Sequence, residues 1–325
     1  MRNLRAVALL ALVSLLAGCI VISPFGRGDN TLHETTVQGE GDAKILWLPI
    51  SGFISDSPGQ QAFGLVSQPS TLARVTQALN KAEDDADIKA LVLRINSPGG
   101  TVAASDAIYA RVRRYHADTN VPVLASFGGV AASGGYYIAM AADTVIAEPT
   151  TVTGSIGVIL ADVNIAGLLD KLGIENQTFT SGEHKDILSP LRPATAEEHV
   201  IVQRVIDSLF AQFVAVVEDS RGAALDRSHF DEITDGRIFA AGRARERGLV
   251  DRIGRIDDVL AEARRQAGVD TARVIRYYRG STAPATIVAQ ATSDTPRPDA
   301  DAATPAPAAH ATSQPLYLWR GGDVR

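Results

Sequence analysis

An α/β fold built on parallel strands is what this sequence of 325 residues predicts. Three observations carry the prediction. Short apolar runs alternate with segments of helical spacing, the pattern of parallel strands joined by crossover helices. One run, 90–95 (ALVLRI), is almost continuously apolar, as strands covered on both faces are. Two runs stop at glycine-rich breaks that lead into helices, Asn96-Ser97-Pro98-Gly99-Gly100 and Gly128-Gly129.

Taken in order, residues 23–43 are polar and Gly-rich, so the stretch 19–43 reads as a tether, and globular patterning starts at Lys44. Residues 45–50 form a strand and 51–69 a long loop. A helix over 71–86 carries Leu72, Val75 and Leu79 on one face. After the strand 90–95 come a helix over 101–117, a strand over 121–127 and a helix starting near Ala132. A strand over 144–148 and a helix over 164–172 follow. Thr195 and Glu198 have the spacing of a capping box. They open a long amphipathic helix whose stripe runs from Val202 through Leu209 and Phe213 to Val217. The globular part is thus expected over 44–281. Residues 282–325 are rich in Ala and Pro, with few large apolar groups before Leu316-Tyr317-Leu318-Trp319. Such a segment cannot bury enough surface to offset its ordering entropy, so the tail is expected to be disordered. Nothing in the sequence gives the terminal apolar cluster a place to dock.

Composition bounds the function. Net charge is −6, from 31 basic and 37 acidic residues, which argues against a broad nucleic-acid surface. A single cysteine excludes an intrachain disulfide framework and a Cys-rich zinc site. The six histidines are too dispersed to form a metal cluster, and no cofactor is implied. Residues 1–18 read as a secretion signal, with Arg2 and Arg5 ahead of the apolar stretch 6–17. Leu16-Ala17-Gly18-Cys19 resembles a bacterial lipobox, which would make Cys19 the lipidated N-terminus. The alternative is an uncleaved anchor, because apolar character continues to Ile22 and 17 residues are the lower limit for a span. Both readings hold the domain outside the cytoplasm and at a membrane.

Chemistry points to the glycine-rich breaks. In Ala131-Ala132-Ser133-Gly134-Gly135-Tyr136-Tyr137 a serine stands where a helix begins, near unpaired N–H groups. It is either a nucleophile or an ordinary N-cap. A serine nucleophile needs a base. His184, His199 and His229 are the downstream histidines of the folded region, and Lys171 and Lys185 are the lysines after Ser133. Lysine serves as a base when burial lowers its pKa. Lys171 falls on the solvated face of a helical pattern, while Lys185 lies in a loop after an apolar strand, beside Glu183, His184 and Asp186.

The segments Arg94-Ile95-Asn96-Ser97-Pro98-Gly99-Gly100, Val130 to Ile138, Thr153-Gly154-Ser155-Ile156-Gly157-Val158, Ser181-Gly182 with Lys185-Asp186, and Gly248-Leu249-Val250-Asp251 resemble, in order and spacing, the short form of the bacterial signal peptide peptidase A family. The resemblance spans roughly 44–265. It implies a Clp protease/crotonase-like spiral of ββα units with additional C-terminal helices. It also implies a serine endopeptidase with Ser133 as nucleophile, Lys185 as general base, Ser155 orienting the lysine, and Gly100 and Gly134 N–H groups as the oxyanion hole. Its implied substrates are extended peptides such as signal-peptide remnants and misfolded segments. Its implied assembly is a homo-oligomer that shares active sites between subunits. Glu183-His184 and Ala240-Ala241 depart from the family's usual residues, and His184 competes with Lys185 for the role of base. The other readings are a crotonase-like acyl-CoA hydratase or isomerase and an inactive scaffold of the same fold.

Overall fold

The computed structural model describes residues 31–61, 66–280, 282–288 and 315–319. The leader, Cys19 and most of the Ala/Pro-rich tail lie outside the described residues. The chain begins with β1 (His33–Gln38), β2 (Lys44–Ser51), a hairpin of β3 (Gly59–Gln61) and β4 (Val66–Gln68), α1 (Thr71–Glu83), β5 (Ile88–Ser97) and β6 (Gly99–Thr101). Next are α2 (Val102–Thr119), β7 (Val123–Ala132), α3 (Gly134–Ala139), β8 (Thr144–Ala147), β9 (Val152–Gly154), α4 (Ala166–Leu172) and α5 (Ala196–Arg221). The remainder is α6 (Phe230–Thr234), β10 (Ile238–Ala240), α7 (Ala241–Glu246), β11 (Arg252–Ile253), α8 (Ile256–Ala267), β12 (Arg273–Tyr278) and β13 (Leu316–Leu318).

The main sheet runs β1-β12-β2-β5-β7-β8-β11, parallel from β12 to β11. Its centre is covered on both faces, and the side-chain alternation of a strand divides the core accordingly. Leu46, Leu48, Ile50, Leu91 and Leu93 pack with Val75 and Leu79 of α1 and Ile108 and Val112 of α2. Ile45, Trp47, Ala90 and Val92 point the other way, onto Val259, Leu260 and Ala263 of α8. This explains the nearly continuous apolar run at 90–95, broken by Arg94 alone: both faces of the strand are core.

Three expectations are corrected. The tether is shorter than 19–43, because residues 33–38 form β1 and pair antiparallel with β12. Gly128-Gly129 does not end a strand. β7 continues to Ala132 and changes partner at the glycines, pairing with β8 over Leu124–Phe127 and with β9 over Val130–Ala132. The flexible pair is the kink that lets one strand serve two neighbours. The tail is not wholly without structure. β13 pairs antiparallel with β6, and Tyr317 is fully buried.

α5 starts as expected, with Thr195 Oγ1 accepting from the Glu198 N–H and the Glu198 carboxylate accepting from the Thr195 N–H. Its stripe is only partly used. Phe213 and Val217 are buried on the body, whereas Val205 is 47% exposed. Residues 196–224 are long and apolar enough to cross a membrane by length and composition, yet they end in this packed contact with the body.

Candidate active site

Ser133 sits between the end of β7 and the start of α3 with φ 52° and ψ −117°. That is a backbone region that side chains with a Cβ rarely adopt, and it costs on the order of 1–3 kcal/mol. The serine occupies the N-cap position, but its side chain caps no helix N–H. An ordinary capping serine has extended backbone and an engaged hydroxyl; Ser133 has neither. Its N–H donates to Gly154 O at 2.8 Å and its carbonyl accepts from the Tyr137 N–H, so the strained turn is held from both sides. The residue is only 1% exposed.

Ser155 stands beside it by register. Ala132 pairs with Gly154 in the parallel β7–β9 ladder, so Ser133 and Ser155 are the next residues on adjacent strand ends. Ser155 also has positive φ, 54°, and its N–H donates to Arg237 O at 2.8 Å. It is nearly buried and lines a cavity of about 420 Å³, with Ile156 to Ile159, Phe210 and Leu318 among the other walls.

The first glycine-rich turn lies against the same place. Ser97 Oγ accepts from the Gly99 N–H at 3.0 Å and donates to Gly52 O at 2.6 Å, which fixes the turn. Gly99 has φ +107°, and a Cβ there would stand 2.8 Å from the Gly134 nitrogen. A Cβ on Gly134 would be 3.2 Å from the Gly100 nitrogen. The peptide N–H groups of Gly100 and Gly134 therefore converge, and only glycine allows the two turns to come so close. Asn96 Oδ1 accepts from the Val130 N–H at 3.1 Å and binds the two breaks together.

The structure thus brings Ser133, Ser155, Gly100 and Gly134 to one spot. It does not bring Lys185 there within one chain. Lys185 is exposed, and its ammonium has no hydrogen bond or ion pair among the described residues. No strand precedes its loop, contrary to expectation, and Phe179 just before it is 95% exposed. The loop is nevertheless anchored. Arg192 pairs with Asp186 at 2.6 Å and with Glu198 at 2.5 Å, so the residue after Lys185 is tied to the first turn of α5. The Arg192 hydrogen bond and the Thr195 N–H hold the Glu198 carboxyl down at about 2. His184, the rival base, lies 3.8 Å from Glu197. Lys171 is exposed on α4. Among the described residues no His, Cys, Asp or Glu group could hold a metal ion.

The segment Gly248 to Asp251 has a structural role. Asp251 pairs with Arg221 at 2.8 Å and accepts from the Val145 N–H at 2.7 Å, which fastens the end of α5 to the sheet. Tyr136, buried, donates its hydroxyl to Leu249 O at 2.8 Å, and burial pushes its pKa up. Sequence reasoning missed Tyr137. Its hydroxyl donates to Asp106 Oδ1 at 2.7 Å while its ring lies against Phe213 and Tyr317. The apolar cluster Leu316-Tyr317-Leu318-Trp319 in an Ala/Pro-rich segment was the available signal for the last of these.

The profile of peptidase family S49 matches residues 116–270, and that of Clp protease matches 66–153. A putative signal peptide peptidase SppA of Enterococcus faecium is 36% identical over 256 residues, 78% of this chain and 73% of its own length. The chain belongs to the signal peptide peptidase A family. A putative protease of Synechocystis is 42% identical over 63% of this chain and 72% of that protein, and a putative protease of Methanocaldococcus jannaschii is 32% identical over 82% of each. Membership makes the chain a serine peptidase with a Clp protease/crotonase-like α/β fold. Within such a peptidase the strained, uncapped serine beside two converging N–H groups has a chemical use: a hydroxyl can attack a carbonyl whose oxygen the two donors receive.

Proposed function

We propose that this signal peptide peptidase A homologue is a membrane-tethered endopeptidase that cleaves extended peptides with a Ser133/Lys185 dyad completed between copies of the chain. The observation that carries it is Ser133 itself, strained, uncapped and set against the N–H groups of Gly100 and Gly134. Ser133 Oγ attacks the scissile carbonyl carbon and Lys185 takes the hydroxyl proton. The oxyanion rests between the two N–H groups, each worth about 3 kcal/mol in the transition state. Lys185 returns the proton to the leaving amine, and water, activated by the same lysine, hydrolyses the acyl ester. Ser155 orients the lysine amine.

A lysine acts as a base only when removed from water. Lys185 is exposed in one chain, so the reading needs a surface to cover it. The arm that carries it favours a second copy: α4 buries no residue, and Val163, Leu172 and Phe179 are 66%, 63% and 95% exposed. Signal-peptide remnants and misfolded segments are the proposed substrates, in keeping with the name of the Enterococcus relative. Lipid on Cys19, or an uncleaved anchor, would hold the domain at the membrane from outside the cytoplasm. Turnover of a fluorogenic peptide by Lys185→Met and His184→Ala tests the base. Lys185→Met is expected to lose about 10³-fold in kcat and His184→Ala less than about threefold; the opposite ranking would make the histidine the base.

A further inference from the structure

The arm that carries Lys185 is rich in acid. Glu183 and Asp186 lie within two residues of the lysine, and Glu197 and Glu198 stand in the first turn of α5. The cavity beside Ser155, where the lysine of another copy has to arrive to meet the serine, adds Asp207 and Asp235. A carboxylate next to a lysine favours the ammonium and so works against a base. The effect grows once an interface covers the groups and water no longer screens them. These acids are not equivalent. Glu183 is exposed, and Glu197 is 70% exposed with the His184 ring 3.8 Å away. Asp235 is paired with Arg237 at 2.6 Å, and Asp207 accepts from the Gln203 amide at 2.7 Å. Asp186 and Glu198 are the covered pair, with side chains 19% and 2% exposed.

One side chain engages both. Arg192 Nε and Nη2 donate to the two oxygens of Asp186 at 2.7 and 2.6 Å, and Nη1 and Nη2 donate to the two oxygens of Glu198 at 2.8 and 2.5 Å. Two bidentate pairs from one planar fork are a geometry that an ammonium cannot supply. The guanidinium holds both carboxyls below the usual carboxylate range. The clamp also reaches the backbone. Asp186 O accepts from the Ser189 N–H at 2.9 Å and the Lys185 N–H donates to Gly182 O at 3.1 Å, so the turn bearing the lysine is closed on either side of the clamped residue. Glu198 is fixed in turn by the Thr195 N–H at 2.9 Å.

We infer that Arg192 is a positioning residue for Lys185: it holds the lysine's turn against α5 and engages the Asp186 and Glu198 carboxylates so that neither pairs with the ammonium. It acts through the lysine and does no chemistry itself. The inference rests on the Ser133/Lys185 reading and adds to it the group that sets where on the pH scale activity begins. Two effects follow. Without the guanidinium a freed carboxylate competes for the ammonium, so the rate starts to rise only at higher pH. Without the clamp the turn is loose, so the plateau rate falls at any pH.

The test is the pH profile of kcat/KM on a fluorogenic peptide, read beside the rate at which a fluorophosphonate labels Ser133. Arg192→Gln by itself would leave the Glu198 charge buried and unpaired. The chains compared are therefore the wild type, the double variant Arg192→Gln/Glu198→Gln, in which Asp186 is freed, and the triple variant that adds Asp186→Asn. Each is first shown to melt cooperatively and to have the native mass of the wild type. In the double variant the acid limb of both profiles is expected to move up by about one pH unit, with plateau kcat down about tenfold and KM within about twofold. In the triple variant the limb is expected to return to the wild-type position while the plateau stays low. A limb unmoved in the double variant, a limb still displaced in the triple variant, or an undiminished plateau overturns the inference, since a purely structural clamp lowers the rate at every pH alike. Lys185→Met separates the two readings. Wild-type turnover there sinks the dyad and the inference with it, whereas lysine-dependent turnover with an unmoved limb overturns the inference alone.

Discussion

Ser133 stores strain that its neighbours sustain. The backbone at φ 52°, ψ −117° suits glycine better than serine. It persists because the β9 carbonyl of Gly154 and the first turn of α3 hold the residue in place. On the proposed mechanism, a serine kept where glycine would be more stable, with no capping bond in return, is a stability–function conflict resolved in favour of function. The consequence is measurable. Ser133→Gly is expected to abolish peptidase activity and to stabilise the fold by about 1 kcal/mol, the strain relieved less the added freedom of the unfolded chain. That corresponds to a rise in Tm of roughly 2–4 °C for a domain of this size. A fall in Tm by calorimetry would mean that the turn is not strained. Gly248, which lies within the Gly248 to Asp251 segment, also has positive φ, and there it is packing against Ala224, not chemistry, that excludes a side chain.

The elements around the site divide into a rigid pair and a projecting arm. β7 and β9 set the serines by register, and Thr153 Oγ1 adds a bond to Ala131 O at 2.6 Å. The loop bearing Lys185 has no such sheet contact and depends on the ion network at the start of α5. Asp186 and Glu198 both have lowered pKa values because each carboxylate accepts hydrogen bonds from Arg192. A lowered carboxyl pKa contributes stability that is fully present above the ordinary carboxylate range and disappears as pH falls through the folded value, about 2 for Glu198. Thr195→Ala, which removes the cap, is expected to lower Tm by roughly 2–4 °C. Glu198→Gln should lower Tm at pH 7, and its difference from the wild type should shrink as pH drops from about 4.5 towards 2. A pH-independent difference would show that the side chain acts by shape, not by charge.

At the scale of the whole molecule, the proposed dyad leaves one chain with only part of the site. Ser133 and Ser155 follow the ends of β7 and β9, Gly100 lies in β6 and Gly134 opens α3, while Lys185 rides on an arm with exposed apolar residues. Apolar surface of this kind marks an interaction face. If the arm of one copy delivers its lysine to the serine of the next, Ser133→Ala and Lys185→Ala chains should complement. Each is expected to be inactive alone, and after co-refolding of equal amounts roughly a quarter of the interfaces pair an intact serine with an intact lysine, on random mixing in a ring with head-to-tail contacts. Peptidase rate and native mass, read on the same sample, check this. Mixed assemblies with no recovered activity would place both groups of a working site in one chain.

The sequence by itself determined the alternation of strands and helices, the two-sided burial of 90–95, the cap at Thr195 and the two glycine-rich segments that the fold brings together at Ser133. Each of these depends on a local pattern or on residue types at short spacing, which backbone sterics and hydrophobic periodicity read directly. Tertiary structure alone decided three further matters. Residues 33–38 join the sheet because a partner edge, β12, arrives from about 240 positions away. Gly128-Gly129 became a kink rather than an end because β8 and β9 compete for one strand. The tail acquired a strand because two strand edges, β6 and Ile159, pair with it and the touching rings of Tyr137 and Phe213 give Tyr317 a surface to pack on. Edges and pockets are made by distant segments meeting, so no local composition announces them, and a segment too poor to build its own core can still complete one that is already there.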